Sequence, residues 1–556
     1  MPTILIDPVD FSALFGSSVN EVMLGQHLDL VKGEYKGLDE NQLWRVELND
    51  TNRPDLWSAE GIARQIRMVL GRRRDYPFFT GPASLEIRVD GALQPVRPFV
   101  GAFLAKGLNI TVSSLRQIIQ TQEKLAEIFG RKRKDVAVGV YNAQKISFPV
   151  HYLAVDPREV SYTPLGCDQP MTLTEILEKH PKGIEYRGLL AGHDRVPLLR
   201  DSAGMILSLP PVINSREVGE VVPGDSDLFV EATGTEFASV VLAMNILACD
   251  LADRGARISR IKTVFPYDTP CGRELELPRR LDRAIRIEVD KFTKLLGVKV
   301  KPREAADILE RYGCDVKVED SVLFVSPPPT RLDYLHWVDV VEDYAITRGY
   351  ETFSPQMPRD FSIGKSHHLS RLEDKSRDHM IGLGYEETIA NILVGHVPLR
   401  DKMCIVDEPL VEVDNVMNES YSVLRNRVLP SLLQVEARSG DAAYPHRLFE
   451  CGEVAVVDST SSQGSRTELH VSALVCHGEV TLSEIHSDLE FLCFQLGLTI
   501  SLQDSDRPWL LPGRSATVLW KGNPIGWMGE LNPQVLDRWE ISMPAAAFEL
   551  NLNALS

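Results

Sequence analysis

The chain has 556 residues, of which 44% are hydrophobic and 25% are charged, and its formal net charge at pH 7 is −18. This length is too great for one hydrophobic core, so we expect several domains, and the composition excludes extensive disorder. The negative charge argues against a protein that holds nucleic acid mainly through the phosphates.

The sequence carries no visible signal for secretion or membrane insertion. No basic segment precedes an apolar run at the N-terminus, and Asn245 and Asp250 interrupt the longest apolar stretch. The eight cysteines are scattered and no pair has CxxC spacing, which argues against a zinc ribbon and a disulfide framework. We therefore expect a cytoplasmic protein that does not contact a membrane.

The first two regions have mixed patterns of helix and strand. In residues 1–95, a strand over residues 43–48 precedes a turn-rich connector and a helix that begins after Ser58, which predicts a mixed α/β domain. In residues 96–271, an amphipathic helix precedes strand-like segments such as DVAVGVY. The mixture predicts an α+β domain.

The second region contains a strand that places an acid among apolar residues. Its period of two puts Phe229, Glu231 and Thr233 on one face. A helical pattern begins at Phe237, and we expect the helix N-terminus to favour a negative charge on Glu231. A strand face with an aromatic ring, a carboxylate and a hydroxyl is able to bind a phenol. The alternative is an edge strand whose Glu231 faces water and whose Thr233 caps the helix.

The remaining regions differ in their patterns. Residues 272–353 predict a small module with a helix, a hairpin around residues 319–320 and a second helix in RLDYLHWVDVVEDYAITRGY. Residues 354–556 contain many short strands, two or three helices and a terminal strand, AFELNLNAL. This last pattern predicts a large antiparallel sheet.

The second helix of the small module is acidic. Helical spacing sets Asp339, Glu342 and Asp343 on one arc, opposite the apolar residues. Asp333, just before the helix, adds a fourth carboxylate, and a hard cation such as Mg²⁺ takes ligands of this type. The alternative is a solvated acidic face that pairs with arginines of a partner.

Common signatures of catalysis are missing from the sequence. It contains no GxSxG, P-loop, HExxH or GxGxxG after a strand. His193 is the histidine nearest in sequence to the Glu231 segment, although a loop histidine without a role is the commoner case. A hydrolytic reaction would need water that is activated by something other than a triad.

Five segments, in order, resemble the beta subunit of phenylalanyl-tRNA synthetase of the archaeal and eukaryotic cytosolic type. They are VELNDTNRPDLWSAEGIAR, the stretch from VPLLRDSAGM to VEATGTE, RLDYLHWVDVVEDYAITRGY, SVLRNRVLPSLL with HRLFECGEV, and LLPGRSATV with IGWMGELNP. The resemblance runs from about residue 1 to residue 556. It implies an (αβ)₂ tetramer that attaches phenylalanine to its tRNA, with ATP used at a synthetic site on the alpha subunit.

The resemblance also implies an α+β multidomain fold whose last region is a class II synthetase-like domain without a synthetic site. The ATP-binding signature GxGxxR is absent from the sequence. Arg425, Arg427 and Glu450 resemble remnants of the core of that domain, and we expect them to pack rather than to catalyse. The net charge of −18 fits a subunit that makes few direct phosphate contacts, so we expect the alpha subunit to make many of the tRNA contacts.

The second region resembles the editing domain of this family, which hydrolyses tyrosine wrongly attached to the phenylalanine tRNA. A pocket for phenylalanine rejects an added hydroxyl by only about a hundredfold, whereas a site that binds the hydroxyl rejects its absence strongly. The resemblance implies that Glu231 reads the tyrosyl hydroxyl, Ser208 and Thr233 position substrate or water, and Leu199 lines the ring slot. The attacking water is then held by backbone groups, hydroxyls and the terminal ribose of the tRNA.

Two alternatives remain beside this interpretation. One is a structural and tRNA-positioning subunit whose editing pocket is inactive. The other, a free-standing RNA-binding protein, is disfavoured by the acidity of the chain.

The acidic helix resembles the magnesium site that this family shares with the alpha subunit. Asp333, Asp339, Glu342 and Asp343 match the spacing of that site residue for residue. The resemblance therefore implies that these four residues hold Mg²⁺. Arg331, in the same motif, is then a structural partner.

Overall fold

A computed structural model of the chain describes residues 2–281 and 283–555. The chain divides into two compact units, Met1–Gln356 and Met357–Ser556. Both units combine helices with sheets. Within the described residues, no helix has the length and hydropathy that a membrane crossing requires.

The first unit begins with a three-stranded antiparallel sheet and three helices. The elements are β1 (Thr3–Ile6), α1 (Pro8–Phe15), α2 (Glu21–His27), β2 (Gly33–Leu38), β3 (Trp44–Leu48) and α3 (Ala59–Val69). β3 lies between β1 and β2. Ser58 caps α3, as its sequence predicts, because its side chain accepts a hydrogen bond from the backbone N–H of Gly61.

The next part of the unit is built around one large sheet. Its strands and those of a small separate ribbon are β4 (Leu85–Val89), β5 (Phe99–Lys106), β6 (Val136–Asn142), β7 (Val150–Val155), β8 (Ser161–Tyr162), β9 (Met171–Thr172), β10 (Val196–Arg200), β11 (Ile206–Leu209), β12 (Ile213–Asn214), β13 (Leu228–Gly234), β14 (Arg257–Thr269) and β15 (Gly272–Leu277). The helices are α4 (Val112–Lys124), α5 (Leu173–Lys179), α6 (Pro181–Tyr186), α7 (Arg216–Gly219) and α8 (Phe237–Asp253).

The large sheet has ten strands and is mostly antiparallel. Its order is β12-β11-β10-β7-β4-β14-β5-β13-β6, with β15 beside β14, while β8 and β9 pair separately. β13 lies between β5 and β6, and all seven of its residues are buried. The alternative of an edge strand with Glu231 in water is therefore wrong.

The two ends of this sheet meet, so that it curls into a nearly closed barrel. The hydroxyl of Tyr141 on β6 lies 2.9 Å from Ser208 Oγ on β11 and 3.2 Å from Asn214 Oδ1 on β12. The side-chain amide of Asn214 also donates to the carbonyl of Val140, at 3.4 Å. The curl brings residues from distant strands together in its interior.

The first unit ends in a smaller module. Its elements are β16 (Ile285–Glu288), α9 (Val289–Leu296), α10 (Pro302–Arg311), β17 (Asp315–Glu319), β18 (Val322–Ser326) and α11 (Trp337–Arg348). β18 lies between β16 and β17 in an antiparallel sheet. The hairpin predicted around residues 319–320 is the turn between β17 and β18.

The second unit contains a seven-stranded sheet and a small three-stranded one. Its elements are α12 (His368–Gly382), β19 (Glu386–Glu387), β20 (Leu393–Val394), α13 (His396–Leu399), β21 (Val411–Glu412), β22 (Val423–Leu424), α14 (Leu429–Glu436), β23 (His446–Val457), β24 (Ser465–Cys476), α15 (Leu482–Gln495), β25 (Ile500–Asp504), β26 (Leu510–Trp520), β27 (Asn523–Leu531), α16 (Pro533–Trp539) and β28 (Ala545–Asn551).

The order of the larger sheet is β19-β23-β24-β28-β27-β26-β25, and every pair except β19 with β23 is antiparallel. The large antiparallel sheet predicted from the sequence is thus confirmed. The predicted terminal strand is β28, which lies in the middle of the sheet.

Candidate functional site

Glu231 lies inside the curled sheet and is only 3% exposed. Its Oε1 accepts a hydrogen bond of 2.9 Å from the hydroxyl of Tyr141, whereas Oε2 has no hydrogen-bond partner among the described residues. Burial raises the pKa of Glu231 to about 7, against the hydrogen bond from Tyr141 and the charge of Arg97. The sequence suggested that the next helix would favour the ionised form, but desolvation dominates.

Gly139 makes room for the contact between Glu231 and Tyr141. It is the register partner of Glu231 on β6, and a Cβ atom at this position would lie 2.3 Å from Glu231 Oε1 and 2.3 Å from the Tyr141 hydroxyl. Any larger residue would have to push the two groups apart. The glycine is therefore part of the site.

The Tyr141 hydroxyl connects Glu231 to Ser208 by hydrogen bonds. Ser208 Oγ is within 2.9 Å of that hydroxyl, and Ser208 is 2% exposed. Leu199 is the register partner of Ser208 on β10 and is fully buried. The structure thus connects Ser208 to Glu231 through Tyr141, and Leu199 is adjacent to Ser208.

Thr233 is held by a buried arginine. Arg97 donates from Nε to Thr233 Oγ1 at 2.9 Å and from Nη2 to the Thr233 carbonyl at 2.6 Å. Burial lowers the pKa of Arg97 to about 10. The alternative in which Thr233 caps the next helix is wrong, because the N-cap of α8 is Glu236.

Sequence reasoning missed Tyr141, Arg97 and Asn214. A signal for Tyr141 was present, because Gly139 interrupts the same strand two residues earlier and an interior strand glycine often marks a close approach of other groups. Arg97 and Asn214 belong to no pattern that identifies them. His193, which was considered because it is near in sequence, lies exposed in the loop before β10.

The candidate site is closed in this structure. Leu199, Ser208, Glu231 and Thr233 are between 0% and 3% exposed, whereas Asn214 is half-buried. A phenol-sized ligand therefore reaches Glu231 only after side chains around it move. The half-buried Asn214 is the nearest partly exposed neighbour of the Tyr141 hydroxyl.

The acidic residues of the smaller module form a second cluster, which is organised by Arg331. Its Nη1 donates to Asp343 Oδ2 at 2.5 Å, and its other nitrogens donate to both oxygens of Asp333, at 3.0 and 2.6 Å. Tyr334 also donates to Asp343, at 2.5 Å. Burial raises the pKa of Asp343, against the charge of Arg331.

The other two carboxylates have separate partners. Asp339 Oδ2 accepts from the backbone N–H groups of Leu335 and His336, at 2.7 Å each, and so caps its own helix. Glu342 forms an ion pair of 2.7 Å with Lys32.

Asp333, Glu342 and Asp343 line one small cavity together with Arg331 and Lys32, whereas Asp339 caps its helix. In the described part of the chain, no three acidic, histidine or cysteine side chains are placed to hold a metal ion. The acidic arc is not an open face, because Asp343 is 3% exposed and lies with the buried residues of α11. Each carboxylate instead has a protein hydrogen-bond or ion-pair partner.

Arg425 and Glu450 form a buried pair in the second unit. Arg425 Nη2 lies 2.6 Å from Glu450 Oε1, and the same guanidinium donates to Ser431 Oγ and the Glu453 carbonyl. Arg427 pairs with Glu408 and lies over the ring of Trp509. These contacts connect strands and loops within the unit, as expected for residues that pack.

Comparison with known proteins identifies parts of both units. The tRNA synthetase B5 domain matches residues 285–350, and the phenylalanyl tRNA synthetase beta chain CLM domain matches residues 355–552. The phenylalanine–tRNA ligase beta subunit of Borreliella burgdorferi (strain ZS7) is 36% identical over 564 residues, which cover 100% of this chain and 99% of the relative. The chain belongs to the phenylalanine–tRNA ligase beta subunit family.

Other members of the family agree. The beta subunit of a strain of Treponema pallidum subsp. pallidum is 37% identical over 94% of this chain and 88% of its own length. The crystal structure of an N-terminal fragment of the phenylalanyl-tRNA synthetase beta subunit from Pyrococcus horikoshii has a TM-score of 0.59 and 35% identity, and it covers 63% of this chain and 100% of the fragment. The family that the five sequence segments resemble, the beta subunit of an aminoacyl-tRNA synthetase specific for phenylalanine, is thus confirmed.

Proposed function

We propose that the chain assembles with a phenylalanine–tRNA ligase alpha subunit into an (αβ)₂ tetramer in the cytoplasm. The alpha subunit attaches phenylalanine to tRNA(Phe) with ATP, and the beta subunit hydrolyses tyrosine mischarged onto that tRNA. Likeness to the fragment from Pyrococcus horikoshii supports the archaeal and eukaryotic cytosolic type.

The proposal includes four domains, with editing in the second. The B5 match at residues 285–350 lies within the proposed third domain, residues 272–353. The CLM match at residues 355–552 lies within the proposed fourth domain, residues 354–556.

The unpartnered oxygen of Glu231 carries the editing proposal. A buried acceptor without a hydrogen bond costs about 1–3 kcal/mol, and the hydroxyl of a tyrosyl group would supply the missing donor at Oε2. Phenylalanine in the same place would leave Oε2 unpaired. The site would therefore bind the tyrosyl ester in preference to the phenylalanyl ester.

The proposed reaction is hydrolysis of the aminoacyl ester. A water oxygen adds to the ester carbonyl, the bond from that carbon to the ribose oxygen breaks, and the ribose oxygen takes up a proton. Thr233, whose Oγ1 accepts from Arg97, positions the substrate or the water. Ser208 lies one hydroxyl away from Glu231 and positions substrate or water, and Leu199, its partner on β10, lines the slot for the ring.

No step of this reaction passes through Mg²⁺. Asp333 and Asp343 are bound to Arg331, Asp339 to backbone N–H groups and Glu342 to Lys32. These carboxylates do not fit a shared magnesium site in their present arrangement. We propose that the magnesium and ATP implied by the resemblance are used in the attachment of phenylalanine by the complex.

One observation favours the alternative of a structural, tRNA-positioning subunit without editing activity. The four proposed editing residues are at most 3% exposed, and the chain's own tyrosine occupies Oε1 of Glu231. A subunit whose pocket stays closed would hydrolyse neither ester. The two proposals make opposite predictions for the same assay.

The assay is deacylation of pre-charged tRNA(Phe) by the complex with the alpha subunit. We expect tyrosyl-tRNA(Phe) to be hydrolysed at least tenfold faster than phenylalanyl-tRNA(Phe), and Glu231→Gln to remove the difference without changing phenylalanine attachment. Glu217→Gln, at an exposed position on α7, is the matched control and keeps the difference. Equal, slow rates for both esters in the unaltered complex would identify the structural alternative.

A further inference from the structure

Tyr141 is the residue on which the hydrogen bonds of the candidate site converge. Its side chain is fully buried, and its hydroxyl lies 2.9 Å from Glu231 Oε1, 2.9 Å from Ser208 Oγ and 3.2 Å from Asn214 Oδ1. A phenol carries one hydrogen, so it donates to only one of these three neighbours at a time. The direction of the other bonds depends on which neighbour receives it.

With Glu231 ionised, the strongest arrangement is determined by charge. The hydrogen of Tyr141 goes to the carboxylate, because hydrogen bonds to charged acceptors are the stronger ones, and Ser208 then donates to the phenol oxygen. Burial and the charge of Glu231 both raise the pKa of Tyr141, so the phenol keeps its hydrogen. Oε1 is thereby filled and Oε2 is left as the free acceptor.

The ring of Tyr141 is fixed as well as its hydroxyl. It packs against Phe229, with ring centroids 5.8 Å apart, and Phe148 contacts the same Phe229 ring edge-on at 5.7 Å. Gly139 leaves the space in which the hydroxyl meets Glu231. The position of the hydroxyl is therefore set by packing and does not depend on a ligand.

We infer that Tyr141 is a positioning residue for substrate recognition, because it holds Oε1 of Glu231 and Oγ of Ser208 so that Oε2 alone remains to accept the hydroxyl of a tyrosyl ester. The inference rests on the proposed editing function. Discrimination between the tyrosyl and phenylalanyl esters then depends on Oε2 of Glu231, because the hydrogen bond from Tyr141 to Oε1 keeps the carboxylate from rotating. Without the Tyr141 hydroxyl, both oxygens of Glu231 lack a protein donor and the carboxylate is free to turn.

The test is Tyr141→Phe in the complex with the alpha subunit, with separate measurement of kcat and KM for the two esters. We expect kcat/KM for tyrosyl-tRNA(Phe) to fall at least tenfold, while that for phenylalanyl-tRNA(Phe) changes by less than twofold. Tyr267→Phe is the matched control, because the Tyr267 hydroxyl donates to the carbonyl of Pro98 at 2.7 Å, away from Glu231. We expect this control to leave both values unchanged.

Two kinetic outcomes would overturn the inference. Equal falls for both esters would give Tyr141 a merely structural role. A faster reaction of the tyrosyl ester would mean that Tyr141 competes with the substrate for Glu231. Gly139→Ala is an independent variant that forces the same two groups apart, and we expect it to cause the same selective loss.

A spectroscopic readout separates this inference from the editing proposal. If the unaltered complex shows no preference for the tyrosyl ester, the editing proposal fails, and infrared titration of the Glu231 carboxyl still tests the role of Tyr141. The hydrogen bond from Tyr141 lowers the pKa of Glu231, so we expect Tyr141→Phe to raise it. An unchanged titration would contradict the positioning role.

Discussion

The hydroxyl of Tyr141 donates to Oε1 of Glu231 at 2.9 Å and leaves the other oxygen of that carboxylate, buried in the interior of the curled sheet, without a partner among the described residues. The contact depends on Gly139 and extends to Ser208 at the other end of the sheet. It defines a site that is assembled before any ligand binds.

The buried Glu231 makes the first unit less stable as the pH rises. Its pKa in the folded chain is about 7, above the usual value of 4.5, so the folded state binds more protons than the unfolded state between these pH values. Unfolding therefore becomes easier as the pH rises through this window, by on the order of 3 kcal/mol. Glu231→Gln removes this dependence.

The measurement is thermal unfolding of the two proteins from about pH 4.5 to about pH 8, a range that spans both pKa values. We expect the thermal midpoint of the variant, relative to that of the unaltered protein, to rise across this range. Above the folded-state pKa of about 7, the difference between the two midpoints should be constant. A difference that does not change with pH would contradict the raised pKa of Glu231.

His470 in the second unit is stabilised in its charged form, whereas burial of Glu231 favours the neutral form. Burial disfavours its charged ring, but hydrogen bonds to Glu468, at 3.2 Å, and to Glu549, at 2.7 Å, outweigh this and raise the pKa of His470 from 6.5 to about 9. The stabilisation is fully present below the lower of these pKa values and is lost as the pH rises through the upper one. Comparison of His470→Asn with the unaltered protein between about pH 6 and about pH 9.5 should therefore show a loss of stability at low pH that shrinks at high pH.

The buried pair of Arg425 and Glu450 should be strongly coupled. Arg425→Met leaves the buried Glu450 without its cation, and we expect a loss of about 3–5 kcal/mol in the free energy of unfolding. The double variant Arg425→Met with Glu450→Met should recover much of this loss, because no isolated charge remains. Additive losses in urea denaturation would indicate that the two residues act independently.

The carboxylates of the smaller module should support the fold without a metal ion. Asp343→Ala removes a buried partner of Arg331 and should cost about 3 kcal/mol. Asp339→Ala removes only a helix cap and should cost about 1 kcal/mol. We expect a chelator to leave the thermal midpoint of the unaltered protein unchanged. A large fall in that midpoint on chelation, absent from both variants, would restore the metal-site prediction.

Features that depend on sequence neighbours were predictable. The cap at Ser58, the hairpin between β17 and β18, and the shared face of Phe229, Glu231 and Thr233 follow from turn chemistry and from the two-residue period of strands. The strand pattern also placed Glu231 among apolar residues, but the rise in the pKa of Glu231 comes from a desolvation that the pattern does not show.

The contacts that complete the site were not predictable in this way. Tyr141 is 90 residues from Glu231, which it meets because β6 and β13 pair in the sheet. It is 67 residues from Ser208, which it meets because the two ends of the ten-stranded sheet curl together. Neither strand order nor curl can be read from local periodicity. The burial of Asp343 was not predictable from the helical spacing for a related reason, because its buried partner Arg331 lies outside the helix.

The editing proposal requires that Glu231 recognises the hydrogen of a phenolic hydroxyl. The sharpest test uses tRNA(Phe) charged with 4-fluorophenylalanine, whose fluorine occupies a space similar to that of the hydroxyl but has no hydrogen to donate. In single-turnover deacylation by the complex, we expect this ester to react as slowly as the phenylalanyl ester. Hydrolysis as fast as that of the tyrosyl ester would show that size, and not the hydrogen bond to Glu231, determines the selection.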